Sequence, residues 1–225
     1  MSEISQPQLD ATDRLLVWVV IIVRLLLVGS AIIGLLTLNW LEVFVSLMVL
    51  AMTYAVSFIE RWHKINMPLE IEVYAVLLIY AALFLGEMRG YYDRFWWWDS
   101  IMHFTAAIVF GFIGFMIMYA IYHRNKLTAS AVLIALFAFT FSMTIGAMWE
   151  LFEFSLDELF GMTTQPSGRD TMIDLLLNAI GATITSVVGY FYIKTGSTGL
   201  FRRLVTKFMR DNPRIARVVS SRKKT

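Results

Sequence analysis

A chain of 225 residues with 58% hydrophobic residues, 16% charged residues and a mean hydropathy of +0.67 is too apolar for a water-soluble domain of that length. Its formal net charge of +2 hides an uneven distribution, because ten of the nineteen Lys and Arg fall at or after Lys194. The absence of cysteine excludes disulfides and thiol catalysis and leaves the redox compartment open.

The pattern predicts an all-α, polytopic integral membrane protein of about six transmembrane helices. The first span covers residues 15–38 and is apolar except for Arg24. The acidic start MSEISQPQLDATDR lacks a basic n-region, and the run after it is too long for a signal-peptide core, so an uncleaved first span is expected. Residues 41–59 form the second span behind the short turn Asn39-Trp40, and the polar break at residues 60–66 ends that hairpin. Pro68 suits the start of a third span over residues 69–86, which carries Glu70 and Glu72 near its beginning. A polar, aromatic loop over residues 87–95 leads into spans four, five and six at residues 96–122, 128–154 and 171–193. Each is about 18 residues or more, enough at 1.5 Å per residue to cross a core of ~30 Å.

Six spans place the N-terminus, the second and fourth loops and the C-terminal tail on one side. That side holds Arg14, Arg61, Lys64, Arg124, Lys126 and the ten tail charges, against Arg89, Arg94 and Arg169 on the other. The positive-inside rule then makes both termini cytoplasmic, and Tyr91-Tyr92 with Trp96-Trp97-Trp98 form an aromatic belt at the outer interface. The expected organisation is a membrane domain over residues 1–195 and a basic amphipathic cytoplasmic tail over residues 196–225. In the tail, Leu200, Phe201, Leu204, Val205, Phe208 and Met209 alternate with Arg202, Arg203, Lys207 and Arg210 at helical spacing. Such a helix suits anionic membrane lipid, a solvated tail fits equally, and nothing beyond charge points to nucleic acid.

Acids inside these apolar segments are the candidate chemistry, since a charge at the bilayer centre costs roughly 2.5–3.5 kcal/mol on insertion scales. Asp99 and His103 are spaced i, i+4 and share a helical face, which orients an imidazole or places two ligands on one ion. Glu150, Glu153 and Asp157, at spacings 0, 3 and 7, form a narrow stripe on span five, the geometry of carboxylate-bridged metals and of acid–base pairs. Asp157 and Glu158 are expected as loop charges. Asp170, Asp174 and Asn178 lie on one face of span six, with Asp170 a candidate helix cap and Asn178 a candidate interhelical hydrogen bond. Arg169 is the nearby cation, suited to an ion pair or to an anionic substrate group. All these groups fall at one depth near the outer side.

So many carboxylates together need a divalent cation, arginine partners or strongly coupled titration. The ligand set expected is His103, Glu150, Glu153 and Asp174. One histidine among oxygen donors fits magnesium, manganese or calcium, and zinc or iron less specifically. Arg24 is expected to pair with Glu70 or Glu72 or to snorkel, while Glu42 and His63 are expected to be solvated. Phe110, Phe112, Phe115 and Met116 read as lipid-facing or packing residues.

The segments Asp99-x-x-x-His103-Phe104, Trp149-Glu150-x-x-Glu153 and Gly168-Arg169-Asp170-Thr171-x-x-Asp174, followed by Gly181-Ala182, resemble the uncharacterised inner-membrane family typified by YjdF. More distantly, His103-Phe104, Glu150 and Arg169…Asp174-x-x-x-Asn178-x-x-Gly181-Ala182 resemble the VanZ-like family, whose founding member is associated with resistance to a glycopeptide antibiotic. The resemblance covers about residues 86–189. Glu153 stands where a VanZ-like sequence has Gln, and Ser100 where it has a basic residue; both departures favour the YjdF-type assignment. The resemblance implies a helical membrane protein of the bacterial inner membrane with the same polar cluster, and supplies no reaction.

Three readings follow. In the first, Asp99, His103, Glu150, Glu153, Asp170 and Asp174 serve a metal-dependent enzyme acting on a lipid or lipid-linked substrate, with Arg169 and Asn178 binding it. The second is a cation- or proton-coupled transporter. The third is a non-catalytic envelope or stress-response membrane protein.

Overall fold

In a computed structural model of the protein, residues 11–63, 66–123, 129–196 and 199–213 are described. The expected loop around Arg124 and Lys126 and the basic tail after Pro213 lie outside them. The described residues are helical and contain no strand. Six of their helices are long and apolar enough to cross a membrane, as the hydropathy pattern predicts. A helix satisfies its own backbone groups, which is the condition for running through lipid. The chain divides into two compact units, Met1–Arg89 and Gly90–Thr225.

The first unit comprises α1 (Ala11–Leu36), α2 (Trp40–His63) and α3 (Leu69–Ile79), which continues as a π-helical segment over Tyr80–Met88. Val20, Val23, Leu27, Val49, Val73, Val76 and Phe84 form its buried core. Leu38, at φ 57°, is a non-glycine residue in the left-handed region and marks the sharp turn between α1 and α2. The wider π-helical turns close with the Arg89 amide donating to the Phe84 carbonyl at 3.0 Å.

Two polar residues of this unit depart from the sequence expectation. Arg24 turns to α2 rather than to Glu70 or Glu72: its Nε donates to Thr53 Oγ1 at 3.2 Å and its Nη2 to the Thr53 carbonyl at 3.0 Å. The guanidinium lies 3.9 Å from the Tyr54 ring centroid. Glu72 instead accepts a hydrogen bond from Ser57. Glu42, expected in solvent, is buried. Its Oε1 accepts from Ser30 Oγ and from Arg89 Nη2, both at 2.7 Å, and Ser46 donates to Ser30 at 3.1 Å. A charge this deep is tolerable because a cation and a hydroxyl both satisfy it.

The second unit contains the short α4 (Tyr91–Arg94), then α5 (Trp98–His123), α6 (Ala131–Phe160), α7 (Gly168–Thr195) and α8 (Gly199–Asp211). Helices α5, α6 and α7 pack against one another. Close approach is made possible by missing side chains. A Cβ on Gly181 would stand 2.7 Å from the Phe104 carbonyl oxygen and 2.9 Å from Ala107 Cβ. Ser142 on α6 donates to the Ala107 carbonyl at 2.8 Å, pinning α5 to α6. With little hydrophobic drive between helices in lipid, such small-residue contacts and hydrogen bonds carry the association.

Helix α6 runs to Phe160, so Asp157 and Glu158 are helical rather than loop charges. Helix α8 turns its apolar face to the protein: Leu204, Val205 and Phe208 are buried, and the Phe201 ring packs edge-on against Phe115 at 4.8 Å and Phe112 at 5.1 Å. Of the apolar residues expected to face lipid, Phe201 packs on α5 and Leu204, Val205 and Phe208 are buried, while Leu200 is exposed; Phe112, Phe115 and Met116 lie in the interior.

Candidate functional site

The α5–α6–α7 packing gathers the acids at the end where α5 and α7 begin and α6 finishes. Asp99 is the second residue of α5, and His103 lies one turn deeper. Glu150 sits ten residues before the end of α6, about 15 Å along the axis at 1.5 Å per residue. On α7, Asp170, Asp174 and Asn178 descend at successive turns from the helix start.

Histidine 103 is the centre of the arrangement. Its Nε2 stands 3.4 Å from Asp99 Oδ1 and 3.4 Å from Glu150 Oε1. Its Nδ1 faces Asn178 Nδ2 at 3.3 Å, so each helix contributes one contact to the ring. With the amide nitrogen against it, Nδ1 accepts and Nε2 carries the hydrogen toward the carboxylates. With the amide turned over, Nδ1 donates to its oxygen and Nε2 presents a lone pair to the cluster. The second state is the one a metal ligand requires.

Two triads of possible ligand atoms share this imidazole. Those of Asp99, His103 and Asp174 lie within 4.8 Å of one another, and so do those of His103, Glu150 and Glu153. His103, Glu150, Asp174 and Asn178 are all buried, with Glu150 only 5% exposed, while Asp99 and Glu153 are half-buried at the mouth. Trp149 Nε1 donates to Glu153 Oε1 at 3.0 Å and orients that carboxylate.

Glu150 has two unlike oxygens. Oε2 accepts from Gln165 Nε2 at 3.0 Å, and the same nitrogen donates to the Glu150 carbonyl at 3.0 Å. Oε1 is buried and has no hydrogen-bond partner among the described residues. A buried carboxylate oxygen without a hydrogen bond is costly, and this one faces the His103 imidazole at 3.4 Å, in the triad that includes Glu153. A cation there would satisfy it, so the residues fit a divalent metal.

No sequence pattern singles out Gln165, and Asp157 reads from the sequence only as the end of the span-five stripe and as an expected loop charge. Asp157 accepts at Oδ1 from the Thr164 amide and hydroxyl, both at 2.7 Å, and at Oδ2 from the Gln165 amide at 2.9 Å. It therefore folds the α6–α7 connection back onto the site. The helix cap considered for Asp170 belongs to Ser167, whose Oγ accepts from the Asp170 amide at 3.2 Å. Asp170 lies half-buried at the first turn of α7, outside both triads. Arg169 is exposed, and among the described residues it makes no ion pair with these acids.

Beside this end, Tyr91, Phe95, Trp97 and Trp98 pack as an aromatic group, with Tyr91 and Trp98 edge-on at 4.9 Å. The tyrosine–tryptophan grouping is of the kind found at membrane interfaces.

Comparison with known proteins agrees with the helical reading. No solved structure matches. An uncharacterised protein of Thermotoga maritima is 28% identical over 119 residues, a match covering 51% of this chain and 60% of that protein. Residues 15–195 match the family described as "Predicted membrane protein (DUF2238)", the YjdF-type family. Because that match takes in all six long apolar helices and every residue of the carboxylate–histidine cluster, the chain belongs to the DUF2238 family of predicted membrane proteins.

Proposed function

We propose that the protein is a divalent-metal-dependent membrane enzyme that hydrolyses an ester or phosphoester of a lipid or lipid-linked substrate. The observation that carries this reading is Glu150 Oε1, a buried acceptor with no hydrogen-bond partner among the described residues, 3.4 Å from His103 Nε2 and in one triad with Glu153. A metal ion held between the imidazole and the carboxylates would satisfy that oxygen.

His103, Glu150 and Glu153 would supply one triad of ligands, and Asp174 reaches the same imidazole through the triad it forms with Asp99. A bound divalent ion would polarise the substrate oxygen and acidify a water. The half-buried Asp99 would accept a proton from the attacking water as its oxygen bonds to the acyl carbon or phosphorus, and would return it to the departing alcohol as the ester C–O or P–O bond breaks. Asp170 stands at the rim as a second proton acceptor, and Arg169, exposed on the first turn of α7, is placed to meet an anionic group. A site opening at the end of membrane-spanning helices meets headgroups at their own depth, which favours a lipid-borne substrate. The bias of Lys and Arg toward the second and fourth loops and the tail supports cytoplasmic termini and an outward-facing site in a bacterial inner membrane.

Metal analysis of the purified protein tests the reading. Wild type should carry a stoichiometric divalent ion, and Glu150→Gln and Asp174→Asn should lose it while remaining folded. A wild type that neither retains nor binds a divalent ion would sink the proposal. A reporter at the C-terminus found outside the cytoplasm would move the site to the inner face.

A further inference from the structure

The structure assigns to Gln165 the role of a positioning residue that restricts Glu150 to one ligating oxygen, biasing the centre toward small divalent ions such as Mn²⁺ or Zn²⁺ and against Ca²⁺. The inference rests on the metal-centre reading above and names the class of ion that the site takes.

The argument begins with the geometry of one amide. Gln165 Nε2 reaches two acceptors of the same residue, the Glu150 carbonyl and Oε2, each at 3.0 Å. Two bonds from one NH₂ group to one residue fix the side-chain amide and the carboxylate together. The backbone behind that amide is fixed as well, because Asp157 takes the amide hydrogens of Thr164 and Gln165 and the Thr164 hydroxyl. The Thr164 hydroxyl also lies 3.2 Å from the Glu153 carbonyl, so the clamp touches both glutamates of the stripe.

Held in this way, Glu150 keeps Oε2 on the connection side and turns Oε1 to His103, where it has no other donor. Bidentate ligation would bring both oxygens to one ion and break the bond to Gln165. Calcium takes six to eight oxygens at about 2.3–2.6 Å and commonly draws on bidentate carboxylates to reach that number. Smaller ions accept single carboxylate oxygens at fewer positions. For Fe²⁺ and Zn²⁺ the imidazole acts in the same direction, since nitrogen donors suit them while Ca²⁺ takes oxygen; for Mn²⁺ the bias rests on ion size and the single carboxylate oxygen. Gln165 is thus an outer partner of the kind that orients a ligand without touching the ion.

The test is a selectivity ratio. Mn²⁺ binding to the purified full chain is followed by the electron paramagnetic resonance of free Mn²⁺, with Ca²⁺ as competitor. Wild type should prefer Mn²⁺ by about tenfold or more, the scale of effect that outer partners of metal ligands exert. Gln165→Met keeps the side-chain length and removes the donor, and Gln165→Ala removes both. In each, Mn²⁺ affinity should fall roughly tenfold while Ca²⁺ affinity holds or rises, so that the ratio collapses. A merely structural Gln165 would weaken both ions alike and leave the ratio unchanged, and that result overturns the inference. Equal affinity for the two ions in wild type overturns it without any variant. Failure of wild type to bind either ion is a different result, which removes the metal centre itself and this inference with it.

Discussion

Gly146 on α6 faces Asn178 on α7 so closely that a Cβ on the glycine would stand 2.4 Å from Asn178 Nδ2. That nitrogen is the group 3.3 Å from His103 Nδ1, so the missing side chain on α6 is what lets an α7 residue hold an α5 imidazole. The contact ties packing directly to the candidate chemistry. Gly146→Ala should displace Asn178, cost about 1–3 kcal/mol through overpacking and lower metal affinity. Thermal unfolding in detergent read beside a metal titration checks both effects, and an alanine variant with unchanged affinity would refute the link.

Asp157 should matter to the site without entering it. Asp157→Ala removes the acceptor that gathers the Thr164 and Gln165 amides, so the α6–α7 connection should open. Limited proteolysis across residues 161–167 should then be faster than in wild type, and Mn²⁺ affinity should fall in the direction expected for the Gln165 variants. Cleavage at the wild-type rate would show that the clamp is not needed.

In the first unit, Glu42→Ala should destabilise the protein more than the joint replacement Glu42→Leu with Arg89→Met. The single change leaves the guanidinium facing buried Ser30 without its anion, a loss of about 1–3 kcal/mol. Removing both charges removes the mismatch as well. Unfolding of the two variants and of Arg89→Met completes a double-mutant cycle, and purely additive effects would show that the pair is not coupled.

Docking of α8 can be followed with thiol chemistry because the chain has no cysteine of its own. Val205 is fully buried, so Val205→Cys should react slowly with a polar thiol reagent. Adding Phe201→Ala removes the ring that packs on Phe112 and Phe115, a loss on the order of 2 kcal/mol for a partly buried aromatic side chain. Labelling should then rise about tenfold or more as α8 opens locally. Equal rates would mean that Phe201 does not hold the helix.

The six spans were legible because lipid imposes a length and an apolar composition on each helix, and both are local properties of the chain. The i, i+4 and i, i+3 spacings likewise placed Asp99 with His103, Glu150 with Glu153 and Asp174 with Asn178 on common faces, since helical periodicity is local too. Periodicity does not say how far each helix turns about its axis, however, and that rotation chooses its partners. Arg24 met Thr53 on α2 rather than an acid on α3 for this reason. Glu42, solvated by local reading, became buried when the π-helical segment delivered Arg89 from 47 residues away.

The sequence by itself determined an all-helical membrane protein with acids and one histidine at matching depths, because burial in lipid and helical pitch act along the chain. Only the tertiary structure decided that His103 would be shared by three helices, that Glu150 would have one oxygen held and one facing His103 without a hydrogen bond among the described residues, and that Gln165 would do the holding. Those facts depend on contacts between residues 15 to 75 positions apart. They are set by how closely small residues such as Gly146 and Gly181 let the helices approach, which no local pattern contains.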